Sequence, residues 1–460
     1  MHIAVDPAKR RGPVPALRGV HVGDSPEPFL EEDVARLKEE VGVTCVRYGV
    51  EARTLSDEQA ETYHEAGFRA VGEFLDWCAK HRVHCILDLH NALGRQYGGD
   101  ARLWRQTHFQ DRFVALWEQL VRRFRGHPAV AAYELLNEPE PPDNDFAVWN
   151  RLQQRTTAAV RALDPHRTII VDSIGYARPQ NFSGLALNGD PNTVYSFHNY
   201  QPGPYHCQKR RELQDQSTYC YPGFIPHKRP EKPLDFSQAH IGTREGKFWN
   251  RRQLQDEWRD VFAFREKHRV PLFCGEFGCV SDVPEMTDMV YLTDEISIFQ
   301  EEGISWTLYN CMYRTGDPYW KTHFDCNLYI AFTPEKLLRR FARKIALIEF
   351  FSRTEGDVLD IAQLDDEGVG VYGVRCRDGS VQVLASNKDR DAAKTVSLGV
   401  AGVPPQWAGA LKTMARGDEG FVYQGRRELA QGAAALVLPP LSLALLSVPA
   451  PGQRLWGCTA

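Results

Sequence analysis

Residues 130–138 read VAAYELLNE, an apolar run that ends in a polar and an acidic residue. A short, mostly apolar run of this kind predicts a strand that is buried on both faces, as in a parallel sheet. Polar side chains directly after such a strand lie in a connecting loop, where binding and catalytic groups are concentrated. The same arrangement recurs along residues 17–309, which indicates a repeated strand unit.

Amphipathic segments separate these apolar runs. The predicted strands are Leu17–Val22, Thr44–Val50, Val83–His90, Val130–Asn137, Thr168–Ser173, Val194–Asn199, Pro271–Glu276 and Ile304–Tyr309. The predicted helices include Glu58–His81, Phe109–Phe124, Phe146–Leu163, Arg251–His268, Met286–Glu302 and Glu335–Phe351. Eight alternating units of this kind indicate the α/β class and a (β/α)8 TIM barrel, which we assign to residues 1–352. The long segment 201–248 after the sixth strand is predicted to be a functional loop.

The pattern changes after Phe351, where short alternating runs punctuated by Gly, Asp and Pro replace the strand and helix units. These runs predict a small antiparallel β-sandwich domain over residues 355–450. Its strands carry few aromatic residues, so we expect this domain to buttress the barrel rather than to bind carbohydrate. Phe350 and Phe351 at the junction are suited to the contact between the two domains.

Composition excludes several classes of protein. The chain has 460 residues and a formal net charge of −5, and it lacks the basic footprint of a nucleic-acid-binding protein. No apolar stretch is long enough to span a bilayer, and the first residues lack the apolar core of a signal peptide. We expect a monomer that is cytoplasmic, or secreted if a leader has been removed.

Eleven cysteines occur without a CxxC motif, and most lie in apolar runs. This distribution indicates reduced, buried thiols rather than a disulfide framework. Cys207 and Cys220 share the long loop, and a disulfide bond between them stays an open alternative for an exported protein.

Polar and ionisable residues stand at the ends of the predicted strands. They are Arg47, His90, Asn91, Asn137, Glu138, His198, Tyr200 and Glu276, with Trp306 on the last strand. A TIM barrel gathers the carboxyl ends of its strands at one face, so we expect these side chains to converge there.

Glu138 and Glu276 follow the fourth and seventh strands, which lie across the barrel mouth from each other. Cleavage of a glycosidic bond needs such a pair, one carboxyl to protonate the leaving oxygen and one to attack the anomeric carbon. A separation of about 5–5.5 Å between the carboxyl groups is typical of the retaining mechanism.

The other residues have supporting roles in this interpretation. Arg47 can keep Glu276 ionised, and Tyr200 can donate a hydrogen bond to it. Asn137 can donate to the sugar 2-hydroxyl. His90 and His198 can contact the sugar, and Trp306 can offer a stacking surface for a pyranose ring.

The runs VRYGV, ILDLHN, YELLNEPE, YSFHNYQP, LFCGEFG and ISWTLYN resemble family 5 glycoside hydrolases, in the order in which those enzymes carry them. The resemblance covers about residues 17–350 and implies a retaining β-glycosidase of the cellulase and mannanase type. It implies Glu138 as acid/base and Glu276 as nucleophile. It also carries over as substrate-binding positions Arg47, His90, Asn91, Asn137, His198, Tyr200 and Trp306. The substrate implied is a β-linked glucoside or mannoside, and no cofactor or metal is implied.

Three alternatives stay open. The first is an exo-acting or glycolipid-specific glycosidase of the same fold, because the sequence after Trp306 and the added domain depart from minimal endoglucanases. The second is a carbohydrate-binding barrel without catalysis. The third is a metal-dependent hydrolase, although its usual HxH after the first strand is reduced here to His21 alone.

Overall fold

The computed structural model describes residues 1–23, 29–58, 60, 62–95, 99–206, 218–226, 246–279, 283–284, 286–312, 328–329, 336–363, 368–402, 408–429 and 433–450. Eight parallel strands close into a barrel, in which each strand pairs with the next and the eighth pairs with the first. The predicted TIM barrel is therefore confirmed.

The barrel strands, numbered first to eighth, are Arg18–Val22, Cys45–Glu51, His84–Asn91, Val130–Glu134, Thr168–Asp172, Thr193–Asn199, Leu272–Phe277 and Ser305–Leu308. The helices around them are Glu31–Arg36, Leu37–Val41, Ala52–Leu55, Glu65–Lys80, Arg102–Arg105, Thr107–Phe124, Phe146–Leu163, Gly203–His206, Arg251–Glu257, Arg259–His268, Thr287–Glu301 and Lys336–Arg353. Short turns at Pro142–Asn144, Ile174–Ala177 and Pro179–Gly184 follow the fourth and fifth strands.

All eight predicted strands are present, and most of their ends lie within one residue of the predicted ends. The largest difference is at the fourth strand, which ends at Glu134 rather than Asn137. The chain leaves the regular ladder there and turns at Glu138, whose φ of 46° lies in the left-handed region. The predicted helix Arg251–His268 is divided in two at Trp258.

A two-layer β-sandwich follows the barrel. Its larger sheet contains, in spatial order, Arg10–Pro13, Gly356–Leu359, Val369–Cys376, Val381–Asn387, Ser442–Val448, Ala408–Met414 and Val422–Glu428. Its smaller sheet contains His2–Val5, Lys394–Val400 and Ala433–Leu438. The apolar core between them is separate from that of the barrel.

Residues 1–13 belong to this sandwich, whereas the sequence assigned them to the barrel. His2–Val5 pairs in parallel with Lys394–Val400, and Arg10–Pro13 pairs antiparallel with Gly356–Leu359. Ile3 and Val5 are buried in the sandwich core, which explains why this strand crosses to the second domain. The barrel begins only at Arg18.

Phe350 and Phe351 lie at the junction of the two domains, where both rings contact Tyr372 of the sandwich at centroid distances of 6.3 and 5.1 Å. No helix within the described ranges is long and apolar enough to cross a membrane. Cys220 is a free thiol, but Cys207 and most of the segment 201–248 lie outside the described residues.

Candidate active site

The barrel interior is layered, because side chains two residues apart on a strand point to the same face. An apolar layer inside the barrel is made by Ile86, Ala132, Ile170 and Phe273. Two residues further along three of these strands, the inward positions are acidic and fully buried: Asp88, Glu134 and Asp172. Three otherwise apolar strands therefore bring carboxylates into the barrel just below its mouth.

Arg47 is the cation at the centre of this layer, and its side chain is completely buried. Its guanidinium contacts Glu134 (Nε–Oε2 and Nη2–Oε1, both 2.8 Å), Glu276 (Nη1–Oε1, 2.8 Å), Asn137 (Nη2–Oδ1, 2.8 Å), His21 (Nη1–Nδ1, 2.9 Å) and Asp88 (Nη2–Oδ2, 3.2 Å). Burial lowers the pKa of Arg47, but the surrounding carboxylates outweigh this and raise it well above its usual value. The residue predicted to stabilise Glu276 thus connects the second barrel strand with the first, third, fourth and seventh.

Asp172 completes the layer without a direct contact to Arg47. Burial raises the pKa of its carboxyl well above the usual range, and the nearby charge of Glu134 raises it further. Its Oδ2 accepts a hydrogen bond of 3.0 Å from the backbone N–H of Glu138. Asp172 therefore fixes the start of the loop that carries one of the two predicted catalytic residues.

Glu276 lies at the end of the seventh strand and is 4% exposed. Its Oε1 accepts from Arg47, and its Oε2 accepts a hydrogen bond of 2.6 Å from the Tyr200 hydroxyl. Both contacts fix the orientation of the carboxyl group. Burial and the Glu276 charge raise the pKa of Tyr200 well above its usual range, so its hydroxyl remains a donor.

Glu138 is held through its backbone. Its N–H donates to Asp172, and its carbonyl accepts a hydrogen bond of 2.6 Å from Arg95 Nη2. Arg95 is 3% exposed and was not identified from the sequence. These bonds hold Glu138 in a left-handed conformation (φ 46°) that L residues seldom adopt.

His198 lies between the two predicted catalytic carboxylates. Its Nδ1 is 2.9 Å from Glu138 Oε1 and 3.6 Å from Glu276 Oε2. One oxygen of each carboxylate and one His198 nitrogen lie within 4.8 Å of one another. Burial lowers the pKa of His198 to about 3, so the imidazole is neutral at ordinary pH. The spacing suits a retaining glycosidase, in which the two carboxyl groups are about 5–5.5 Å apart.

His90 and Asn137 lie beside this pair. Asp88 Oδ2 lies 2.7 Å from His90 Nδ1, while Asn137 Nδ2 lies 3.3 Å from His90 Nε2. Asn91 is further away: its amide donates to Glu51 (2.8 Å) and accepts from Arg95 (3.3 Å). Asn91 therefore supports Arg95, and among the described contacts it makes no hydrogen bond to Glu138 or Glu276.

Trp306 does not lie at the mouth, so its predicted role as a stacking surface is wrong. It is fully buried and packs edge-on against Phe277 at 5.8 Å, which in turn contacts Phe299 of the helix Thr287–Glu301. Tyr309, three residues later, is the aromatic residue that reaches the site from this strand. Its ring stacks on His21 at 5.3 Å and meets Tyr200 edge-on at 6.2 Å.

The structure thus brings together most of the predicted site residues, namely Arg47, His90, Asn137, Glu138, His198, Tyr200 and Glu276. The site residues not predicted from the sequence are Asp88, Arg95, Glu134, Asp172 and Tyr309, and His21 was considered only as a metal ligand. A signal for two of them was present, since ILDLH and YELL each place an acidic residue inside an apolar strand. Such a residue is almost never fully buried unless it is paired.

Among the residues that the structure describes, three groups of side chains are close enough to hold a metal ion: His21 with Asp88 and His90, Glu134 with Asp172 and His198, and Glu138 with His198 and Glu276. In each group, at least one member already contacts the guanidinium of Arg47. A permanent cation therefore supplies the positive charge that these carboxylates require. The donor set fits an arginine-centred ion network better than a metal centre.

Comparison with known proteins agrees with this geometry. The family described as cellulase (glycosyl hydrolase family 5) matches residues 9–314. Endoglucanase C of Acetivibrio thermocellus is 27% identical over 291 residues, covering 62% of this chain and 84% of that protein. A β-xylosidase of Phanerodontia chrysosporium is 27% identical over 301 residues, covering 61% and 56%. Cellodextrinase A of Ruminococcus flavefaciens is 22% identical over 281 residues, covering 60% and 77%.

Solved structures show the same fold. A mutant form of Thermotoga maritima Cel5A in complex with cellobiose aligns with a TM-score of 0.52 at 18% identity, covering 64% of this chain and 89% of that chain. The cellulose synthase subunit Z of Clostridioides difficile aligns with the same TM-score at 19% identity, covering 64% and 91%. Because the family match extends over more than half of the sequence, the chain belongs to glycosyl hydrolase family 5 and is a retaining β-glycoside hydrolase.

Proposed function

We propose that Glu276 is the nucleophile and Glu138 the general acid/base of this hydrolase. The observation that carries the proposal is the unequal environment of two neighbouring carboxylates. Glu276 is oriented by a guanidinium and a phenol, whereas Glu138 is 13% exposed and faces the neutral His198. Paired carboxylates in unlike environments divide into acid and nucleophile.

In the first step, a Glu276 oxygen attacks the anomeric carbon while the glycosidic C–O bond breaks. Glu138 gives its proton to the departing oxygen, so the leaving group departs as a neutral alcohol. In the second step, Glu138 takes a proton from water, whose oxygen attacks the anomeric carbon and releases Glu276. Two inversions leave the configuration of the sugar unchanged.

Four further side chains act on the substrate in this proposal. Asn137, oriented by Arg47, donates to the 2-hydroxyl, an interaction that strengthens in the transition state. His90 is held by Asp88 and contacts the hydroxyls of the bound sugar. Tyr309 replaces Trp306 as the aromatic surface of the site. His198 holds the Glu138 carboxyl in reach of the glycosidic oxygen.

We also propose that the substrate is a β-linked glucoside of more than one sugar unit, and that a single chain forms the complete site. The names of two relatives, an endoglucanase and a cellodextrinase, support a glucoside as the substrate. All the residues of the proposed mechanism come from one chain. A screen of β-glucans, mannans, xylosides, aryl glycosides and glucosylated lipids tests the substrate.

Azide rescue of two variants tests the roles of the carboxylates. Glu276→Gly removes the nucleophile, so azide attacks the β-glycoside directly and gives the inverted, α-glycosyl azide. Glu138→Ala still forms the glycosyl-enzyme with an activated aryl glycoside, so azide then gives the β-glycosyl azide. NMR of the product distinguishes the two anomers. Normal turnover by Glu276→Gly, or the same anomer from both variants, would falsify the assignment.

A further inference from the structure

The backbone of Glu138 has a conformation that an L residue adopts only where its surroundings impose it. Its φ of 46° lies in the left-handed region, and its Oε1 lies 2.9 Å from His198 Nδ1. The backbone dihedral angles of a residue set the direction in which its side chain leaves the chain and the rotamers that it can adopt. A relaxed φ would therefore move this carboxyl, so the groups that hold the Glu138 backbone also determine where the carboxyl lies.

Arg95 is one of these groups, and it lies in the loop after the third strand. Its Nη2 donates to the Glu138 carbonyl at 2.6 Å, and its Nη1 donates to the His90 carbonyl and to Asn91 Oδ1, both at 3.3 Å. Arg95 is 3% exposed, so these hydrogen bonds are shielded from water. One guanidinium thus joins the loop after the third strand to the residue that ends the loop of the fourth strand nearest the substrate.

Asn91 continues this chain of contacts away from the two carboxylates. Its Nδ2 donates to Glu51 Oε1 at 2.8 Å, while its Oδ1 accepts from Arg95. Because both ends of the amide are bonded to protein groups, the amide oxygen is held towards the guanidinium. The end of the second strand, at Glu51, is therefore connected through Asn91 and Arg95 to the Glu138 backbone.

We propose that Arg95 is a positioning residue for the acid/base Glu138, and that Asn91 orients Arg95 instead of contacting the sugar. The contact with the Glu138 carbonyl maintains the left-handed conformation and so keeps the carboxyl within reach of the glycosidic oxygen. This inference rests on the proposed function of Glu138. Loss of Arg95 impairs the two steps that use Glu138, protonation of the leaving group and activation of water, and spares the attack by Glu276.

The test compares two substrates with the same glycone, one with a sugar and one with a 2,4-dinitrophenyl leaving group. Dinitrophenolate departs without a proton, so its release does not need Glu138. We expect Arg95→Met to lower kcat/KM roughly 10–100-fold for the sugar leaving group and less than about 3-fold for dinitrophenol. Arg95→Lys retains a donor and should recover part of the loss. Asn91→Ala should show the same selectivity between the substrates with a smaller loss.

Arg251→Met is the control for removal of a buried arginine. Arg251 is 1% exposed, and its Nη1 donates to Ser297 Oγ at 2.7 Å and to the Asp294 carbonyl at 3.3 Å, both on the helix Thr287–Glu301. A purely structural effect changes kcat/KM for both substrates by the same factor, and we expect this pattern for the control. Equal losses on both substrates in Arg95→Met overturn the positioning role.

Azide supplies a second readout, because it attacks the glycosyl-enzyme without help from a base. With the dinitrophenyl substrate, hydrolysis of the glycosyl-enzyme should limit turnover of Arg95→Met. Azide should then raise kcat of this variant and give the β-glycosyl azide, whereas the wild type and Arg251→Met should not respond. No response of Arg95→Met to azide counts against the inference.

Glu138→Ala, measured in parallel, separates failure of the inference from failure of the proposed function. If Glu138→Ala shows both the selectivity between substrates and the azide response but Arg95→Met shows neither, the positioning role is wrong and the proposed function stands. If Glu138→Ala shows neither, the proposed function fails together with the inference. An Asn91→Ala variant that only raises KM, equally for both substrates, overturns the orienting role of Asn91.

Discussion

At the scale of single residues, the hydrogen bond between Tyr200 and Glu276 is the simplest contact to remove. The hydroxyl donates to Oε2 at 2.6 Å and orients the carboxylate for attack. We expect Tyr200→Phe to lower kcat about 10–100-fold, because it removes one charge-assisted hydrogen bond, an interaction of about 1.5–3 kcal/mol.

The matched control is Tyr205→Phe. Tyr205 is a fully buried tyrosine five residues later, and its hydroxyl contacts Thr287 at 3.3 Å rather than a catalytic group. Steady-state kinetics and thermal melts on both variants check the prediction. Equal kcat values for the two variants would show that the Tyr200 hydroxyl does not contribute to the reaction.

His198 makes the stability of the protein depend on pH. Burial lowers its pKa from 6.5 to about 3. Between these two pH values the unfolded chain binds a proton at His198 and the folded protein does not. This contribution to stability is complete above pH 6.5 and is lost as the pH falls towards 3. Asp172 has a raised pKa in the folded protein, so its titration favours the folded state as the pH falls.

The difference between the wild type and His198→Asn isolates the histidine. We expect the Tm of the wild type to fall more steeply than that of the variant between pH 6.5 and 4. Thermal melts in matched buffers at constant ionic strength measure this. Parallel curves for the two proteins would contradict a neutral, buried His198.

The sequence predicted those site residues that follow an apolar strand, because a polar group at that position is visible in the pattern. Glu138, His198 and Glu276 are examples. Arg95 could not be found in this way, since it lies in a loop and reaches the site only through the three-dimensional path of the chain. Trp306 was misplaced because the choice between Trp306 and Tyr309 depends on where the last strand ends.

At the scale of elements, the contact between the sixth and seventh strands sets the position of His198. Gly275 lies directly beside it: a Cβ at this residue would come within 2.7 Å of His198 Nε2 and 3.2 Å of Ser196 Oγ. A methyl group would therefore push the imidazole away from Glu138 and Glu276.

We expect Gly275→Ala to lower kcat/KM by at least about 100-fold, because displacement of a group at the catalytic centre by about 1 Å has an effect of this size. Gly126→Ala is the control, since a Cβ there has no heavy atom within 4 Å and φ is not left-handed. Kinetics and circular dichroism on both variants test this. Wild-type activity in Gly275→Ala would show that the two strands tolerate the added methyl.

The eight barrel strands were predictable because fully buried strands have continuous apolar sequences with turn residues between them. The two N-terminal strands were not assigned to the sandwich. His2–Val5 is only four residues long, and its partner Lys394–Val400 is almost 400 residues away. Pairing over such a separation leaves no periodicity in the local sequence.

At the scale of the whole molecule, Asp294 connects three parts of the chain. It lies on the buried helix Thr287–Glu301, its Oδ2 accepts a hydrogen bond of 2.7 Å from Tyr221, and its Oδ1 pairs with Lys388 of the sandwich at 2.9 Å. Both charged side chains are 2% exposed. The sandwich thus holds the barrel helix that also anchors the segment after the sixth strand, which supports the predicted buttressing role.

Substitution of Lys388 tests how much this ion pair contributes to the stability of the protein. Lys388→Met leaves the Asp294 charge buried opposite an apolar side chain, and we expect it to lower the free energy of unfolding by about 3–5 kcal/mol. Lys394→Met breaks a partly exposed pair with Asp389 and should cost only about 0–1 kcal/mol. In Lys388→Met with Asp294→Asn, the buried charge is also gone, so part of the stability should return. Chemical denaturation of the four proteins measures these differences, and a Lys388→Met variant no less stable than Lys394→Met would mean that the ion pair does not join the two domains.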